Sequence, residues 1–153
     1  MLFDLGDTLL PEGTTETLPH IKEVLTELKK QGLKLAVVCN ATIAGYEMVK
    51  GILTEAGISD FFDAVVVSTE VGYSKLDVRI FQITLRRLGV ELHEAIMVGN
   101  RITTDILGGN RAGMKTVLLR FTGRYDEKAI SELEEPTYTI GSMGELMQIV
   151  TSL

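Results

Sequence analysis

The feature that most constrains this chain is a rhythm in which short, unbroken apolar runs alternate with segments of helical period. MLFDL at 1–5, LKLAVVCN at 33–40, FDAVVVS at 62–68, AIMVGN at 95–100 and KTVLLRF at 115–121 read as strands. Their hydrophobicity is continuous rather than alternating, which marks strands covered on both faces, as in a parallel sheet. Between the first two, HIKEVLTELKK sets Ile21, Val24, Leu25 and Leu28 on one face, with an acid early and lysines late, as the helix dipole favours. Its stop is Gly32. TIAGYEMVKGILTEAG and VRIFQITLRRLG end in the same way at Gly57 and Gly89, where a left-handed residue closes a helix. The order βαβαβαβαβ predicts one α/β domain over 1–153: a three-layer α/β/α sandwich around a doubly wound parallel sheet. Beyond it, Thr137–Ile140 reads as a short extended run. A last helix follows from near Ser142, where Ser142 and Glu145 have the spacing of a capping box.

With 153 residues, such a chain can bury a sizeable core without staples. A net charge of −6 argues against nucleic acid or an anionic membrane surface as a bulk electrostatic partner, because both repel an acidic protein. The one cysteine, Cys39, excludes an internal disulfide and a cysteine-based zinc site. No apolar run is long enough to span a bilayer and no signal peptide is evident, so a cytoplasmic location is the expectation.

In open parallel sheets, ligands sit beyond the carboxyl ends of the strands. Those ends carry, in order, Asp4, Cys39 with Asn40, Ser68 with Thr69, and Gly99 with Asn100. Each is unremarkable singly: an Asp after an apolar run is often a turn former, and Lys75 could be one of many solvated lysines. Their common edge is what raises them to candidates.

The residues that carry this edge resemble the four motifs of the haloacid dehalogenase-like (HAD) hydrolases, mostly magnesium-dependent phosphatases with a Rossmann-like core. FDLGDTLL resembles the first motif, usually FDxDGTL, with Asp4 at the nucleophile and Thr8 at the family threonine. LAVVCNAT resembles the second, with Cys39 where the family has a hydroxyl and Asn40 after it. VGYSKLDVRIF resembles the third, usually VGYxKPDxxIF, with Lys75 at its lysine and Leu76 in place of proline. VGNRITTDILGGNRAGM resembles the fourth, usually VGDxxxxDxxGAxxAGM, with Asp105 at the second acid and Asn100 in place of the first.

The resemblance implies a Mg²⁺-dependent phosphomonoester hydrolase that works through an aspartyl phosphate on Asp4. A hard cation offsets the charge of both carboxylate and phosphate. Its implied ligands are Asp4, the carbonyl of Gly6 and Asn100, with Asp105 holding metal-bound water or orienting Lys75. Lys75 offsets the remaining negative charge, and Cys39 and Asn40 lie where phosphate binds. Glycine supplies a carbonyl as well as any residue, but not the side chain that in the family protonates the leaving oxygen and then activates water. That role is worth ~10²–10⁴-fold, so activity is expected to be weak or specialised. Asp7 is the candidate to take it over; its other reading is a turn acid beside Thr8. Asn100 likewise reads either as an uncharged ligand or as a turn residue, and Asp105 otherwise as a surface acid in a first helical turn. Cys39 reads as a small buried residue, not a nucleophile.

Two further expectations follow from the spacing of the motifs. Only a short polar stretch and one helix separate the first from the second, so no cap domain is expected. Capless relatives act on large phosphorylated substrates or form homo-oligomers that close the site. The alternative function is a HAD-fold phosphate- or metal-binding regulatory module without turnover, motivated by Gly6, Cys39 and Asn100.

Overall fold

A computed structural model describes all residues, 1–153. Six strands form one sheet in the order β3-β2-β1-β4-β5-β6, every neighbouring pair parallel. They are β1 (Leu2–Phe3), β2 (Ala36–Cys39), β3 (Ala64–Val67), β4 (Ile96–Gly99), β5 (Lys115–Leu119) and β6 (Tyr138–Ile140). The strands are shorter than their apolar runs. At β1 the ladder still reaches Asp4, whose N–H donates to the Val98 carbonyl at 2.9 Å, before the chain turns away.

The helices that matter to the packing are α1 (Ile21–Lys30), α2 (Tyr46–Glu55), a single turn α3 (Ser68–Val71), α4 (Val78–Leu88), α5 (Leu107–Ala112) and α6 (Leu146–Thr151). Alternate strand residues feed opposite layers. Phe3, Val37, Val65, Val98 and Val117 join the buried faces of α1, α2 and α6, while Leu2, Ala36, Val38, Val66 and Met97 meet Ile80, Phe81, Leu85 and Leu88 of α4. This division explains why the strand sequences are apolar throughout. The predicted face of α1 is the buried one, and Gly32, Gly57 and Gly89 take the left-handed conformation that ends their helices.

The predicted capping box does not form. Ser142 makes no side-chain cap, and the Glu145 carboxylate accepts instead from the Gly141 N–H at 3.2 Å, because a short 3₁₀ turn, Met143–Glu145, precedes α6. The sheet reverses its winding between β1 and β4, so the crevice of a doubly wound sheet opens where Asp4 and Asn100 emerge side by side.

Candidate active site

Asp4 is the hub of that crevice. Its carboxylate Oδ1 pairs with Lys75 Nζ at 2.5 Å, and the same ammonium lies 2.6 Å from Asp105 Oδ1. Lys75 and Asp105 are fully enclosed and Asp4 is 9% exposed, so one lysine balances two carboxylates away from water. Burial by itself would lower the Lys75 pKa, but the charges of Asp105 and Asp4 and their hydrogen bonds outweigh it and hold the amine protonated, above its usual range. Burial, followed by the Asp4 charge, pushes Asp105 up from the ordinary carboxylate range, while Lys75 opposes the rise. With two carboxylates facing one ammonium, the lysine keeps its proton.

Glycines make this burial geometrically feasible. A Cβ on Gly99 would fall 2.3 Å from the Asp105 carboxyl carbon, so only glycine at the end of β4 leaves room for that side chain. A Cβ on Gly108 would fall 1.9 Å from the Lys75 carbonyl oxygen, and one on Gly109 would fall 2.7 Å from Thr116 Cγ2. The GGNRAGM run thus seats α5 directly against the lysine loop and the sheet. Ahead of α5, Ile102–Ile106 form a π-helical turn that carries Asp105, and Asp105 Oδ2 accepts the Arg101 N–H at 3.1 Å.

The loop after β2 completes the floor. Asn40 Oδ1 accepts the Lys75 backbone N–H at 2.9 Å, which ties the second strand to the lysine loop. Ser68 Oγ accepts from Ala41 N at 2.9 Å, and Thr69 Oγ1 donates to the Ala44 carbonyl at 2.7 Å. Cys39 lies under this loop. Burial first, then the Asp4 and Asp105 charges, push its thiol up to about 11, against the pull of Lys75. It stays a thiol near neutrality, in keeping with a packing role.

Three oxygens meet on the other side of Asp4. With the Asn100 amide oxygen turned inward, it accepts from the Thr8 hydroxyl at 3.4 Å but faces two acceptors, the Gly6 carbonyl and Asp4 Oδ2; with the amide turned over, its nitrogen donates to the Gly6 carbonyl at 3.2 Å and to Asp4 Oδ2 at 2.9 Å. The hydrogen-bond network therefore sets this amide nitrogen-inward when no cation is near. The Asn100 amide lies 2.9 Å from Asp4 Oδ2 and 3.2 Å from the Gly6 carbonyl, so with its oxygen inward these oxygen donors would suit a hard cation, which would offset the Asp4 charge. Asp4 supplies the formal charge of this cradle. No group of three or more His, Cys, Asp or Glu side chains converges on a metal position. The Thr8 hydroxyl, fully buried, lies 3.4 Å from Asp4 Oδ2.

A cavity of about 450 Å³ opens above these groups. Its wall includes Asp4, Gly6, Cys39, Asn40, Lys75 and Asn100, six of the eight residues singled out in the sequence. A family model described as haloacid dehalogenase-like hydrolase matches residues 2–119, the span that holds all eight. The chain belongs to the haloacid dehalogenase-like hydrolases.

Within this family, the chain is 42% identical over 102 residues to glyceraldehyde 3-phosphate phosphatase of Methanothermobacter thermautotrophicus, covering 66% of this chain and 43% of that protein. It is 38% identical over 136 residues to glyceraldehyde 3-phosphate phosphatase of Methanocaldococcus jannaschii, covering 88% and 57%. The chain thus spans about half the length of these curated relatives. An uncharacterized protein from Listeria monocytogenes serotype 4b matches in three dimensions with a TM-score of 0.85 and 28% identity, over 99% of this chain and 96% of that one.

Two candidates do not line the cavity of this HAD core. Asp105, expected beside the metal, sits behind Lys75 and reaches the cavity through it. Asp7, expected as a proton shuttle, adopts φ 58°; its Oδ1 accepts the Glu12 N–H at 3.1 Å and its Oδ2 pairs with Arg124 Nε at 2.7 Å. The left-handed backbone at this residue aims Asp7 at the following loop. Sequence reasoning passed over Glu12, Arg101, Arg124 and Tyr125. Pro11-Glu12-Gly13 is a turn signature and could have marked Glu12 as a loop tip, but nothing local announces Arg124, more than a hundred residues away.

Proposed function

We propose that this HAD core is a phosphomonoesterase that passes phosphate through an aspartyl phosphate on Asp4. The supporting observation is the Asp4 carboxylate itself, set at the floor of the cavity against a fully buried lysine that Asp105 holds from behind. A carboxylate attacking a phosphate dianion needs positive charge already in place, because charges fixed before the reaction cost no reorganisation during it. Lys75 supplies that charge. Asp105 keeps Lys75 aimed and protonated rather than touching substrate. The Asn40 side chain and the nearby loop after β2 offer donors for phosphoryl oxygens on the far wall.

Mg²⁺ is the cofactor this reading implies, held by Asp4, the Gly6 carbonyl and Asn100 with its oxygen inward; when bound, it neutralises charge on the nucleophile and the phosphate. Asp4, the Gly6 carbonyl and Asn100 form a cradle with a single formal charge. Substrates are phosphate esters, and the cavity volume favours small ones, in line with the phosphorylated triose named for the relatives. No helix is long and apolar enough to cross a membrane.

The test is phosphate release from 4-nitrophenyl phosphate in saturating magnesium, wild type against Asp4→Asn. Release that vanishes in the variant is expected. Equal rates in both would discard the reading in favour of a binding module without turnover, the alternative that Gly6 motivates.

A further inference from the structure

The space beside Gly6 is filled by another acidic residue. A side chain built on Gly6 would begin 3.6 Å from Glu12 Cγ and 3.7 Å from Glu12 Cβ, so the stem of Glu12 lies in the space into which residue 6 would project. Glu12 lines the same cavity as Asp4, Lys75 and Asn100, and its side chain is 56% exposed, open to solvent. We propose that Glu12 is the general acid and base of the site, acting from farther along the loop after β1 instead of from residue 6. The inference rests on the phosphomonoesterase reading.

The surrounding contacts explain how a loop residue is held there. Pro11–Thr14 form a turn closed by the Thr14 N–H on the Pro11 carbonyl at 3.1 Å, and Gly13 takes the positive φ of 80° that such a turn requires at its third residue. Asp7 Oδ1 fixes the Glu12 N–H, and Arg124 Nε spans Asp7 Oδ2 at 2.7 Å and Glu12 Oε2 at 3.7 Å. Asp7 is therefore a positioning residue. Its buried carboxylate has a use in this arrangement that a turn acid would not need.

The chemistry balances with Glu12 alone. An Asp4 carboxylate oxygen bonds to phosphorus as the ester P–O bond breaks, and the Glu12 carboxylic acid gives its proton to the departing oxygen. Glu12, now a carboxylate, takes a proton from water as the water oxygen bonds to phosphorus and the bond to Asp4 breaks. Free phosphate leaves, and Asp4 and Glu12 return to their starting forms.

A leaving group that departs easily needs little protonation, and one that departs poorly needs much. The experiment compares phenyl phosphate with 4-nitrophenyl phosphate for wild type, Glu12→Gln and the double variant Gly6→Asp/Glu12→Ala. Glu12→Gln is expected to lower kcat/KM for phenyl phosphate by roughly 10²–10⁴-fold and to affect attack on 4-nitrophenyl phosphate far less. A Cβ at residue 6 meets only ordinary contacts and Glu12→Ala clears the stem from the space beyond it, so the double variant should regain most of the phenyl phosphate activity. Equal losses on both esters, no loss on either, or no recovery in the double variant would each overturn the role of Glu12 while leaving Asp4 chemistry in place. Absence of any wild-type release on both esters would overturn the phosphatase reading, and this inference with it.

Discussion

The two sides of Asp4 are built on opposite principles. On the Lys75 side every group is enclosed: one ammonium between two carboxylates, with glycines at 99 and 108 because no other residue fits. On the Gly6 side residue 6 carries no side chain, and the stem of a half-exposed glutamate from farther along the same loop lies in the space left over. The contrast separates two requirements of phosphoryl transfer. Charge stabilisation depends on fixed, dry geometry, whereas proton transfer depends on reach to a leaving group whose position varies, and a loop can provide that.

The strongest way to break this contrast is to empty the enclosed side. Lys75→Met should abolish turnover and cost roughly 3–5 kcal/mol of stability, the range for removing one partner of a buried ion pair. A loss under about 1 kcal/mol in urea denaturation would show that Asp4 and Asp105 are not held together by this lysine. A paired substitution comes next. Gly108→Ala forces a methyl against the Lys75 carbonyl and should cost about 1–3 kcal/mol or more, whereas Gly6→Ala meets Glu12 at ordinary contact distance and should fall within about 0.5 kcal/mol of wild type. Similar melting temperatures for the two variants would erase the structural difference between the sides.

The smallest effect belongs to the cation cradle, which lies at the boundary between the sides. Asn100→Asp adds a second formal charge and removes the amide donors that satisfy Asp4 and the Gly6 carbonyl without a cation. Unit charges at ~4 Å interact by about 1–4 kcal/mol in water to near-surface surroundings, so magnesium affinity measured by calorimetry should rise roughly tenfold or more. An unchanged affinity would mean that Asn100 does not face the ion.

Much of this protein is determined by local sequence. Unbroken apolar strands could only be buried on both faces, the face of α1 followed from its period, and the glycines at 32, 57 and 89 ended helices because left-handed backbone suits a residue without a Cβ. Asp4, Asn40 and Asn100 were legible as a group because parallel strands deliver their carboxyl ends to one edge, and Lys75 through the resemblance of VGYSKLDVRIF to the third family motif. The strand order, the aim of Asp7 and the company of Glu12 were not. A parity argument along the strand could not say where Asp7 points once the backbone enters the left-handed region at that residue. Nor could any local pattern tie Glu12 to Arg124, because that contact exists only after the loop following β5 folds back beside the loop following β1. Residue type and short-range spacing determined which chemistry the edge can offer; which carboxylate lies beside Gly6 at the cavity wall was decided by the packing of two distant loops.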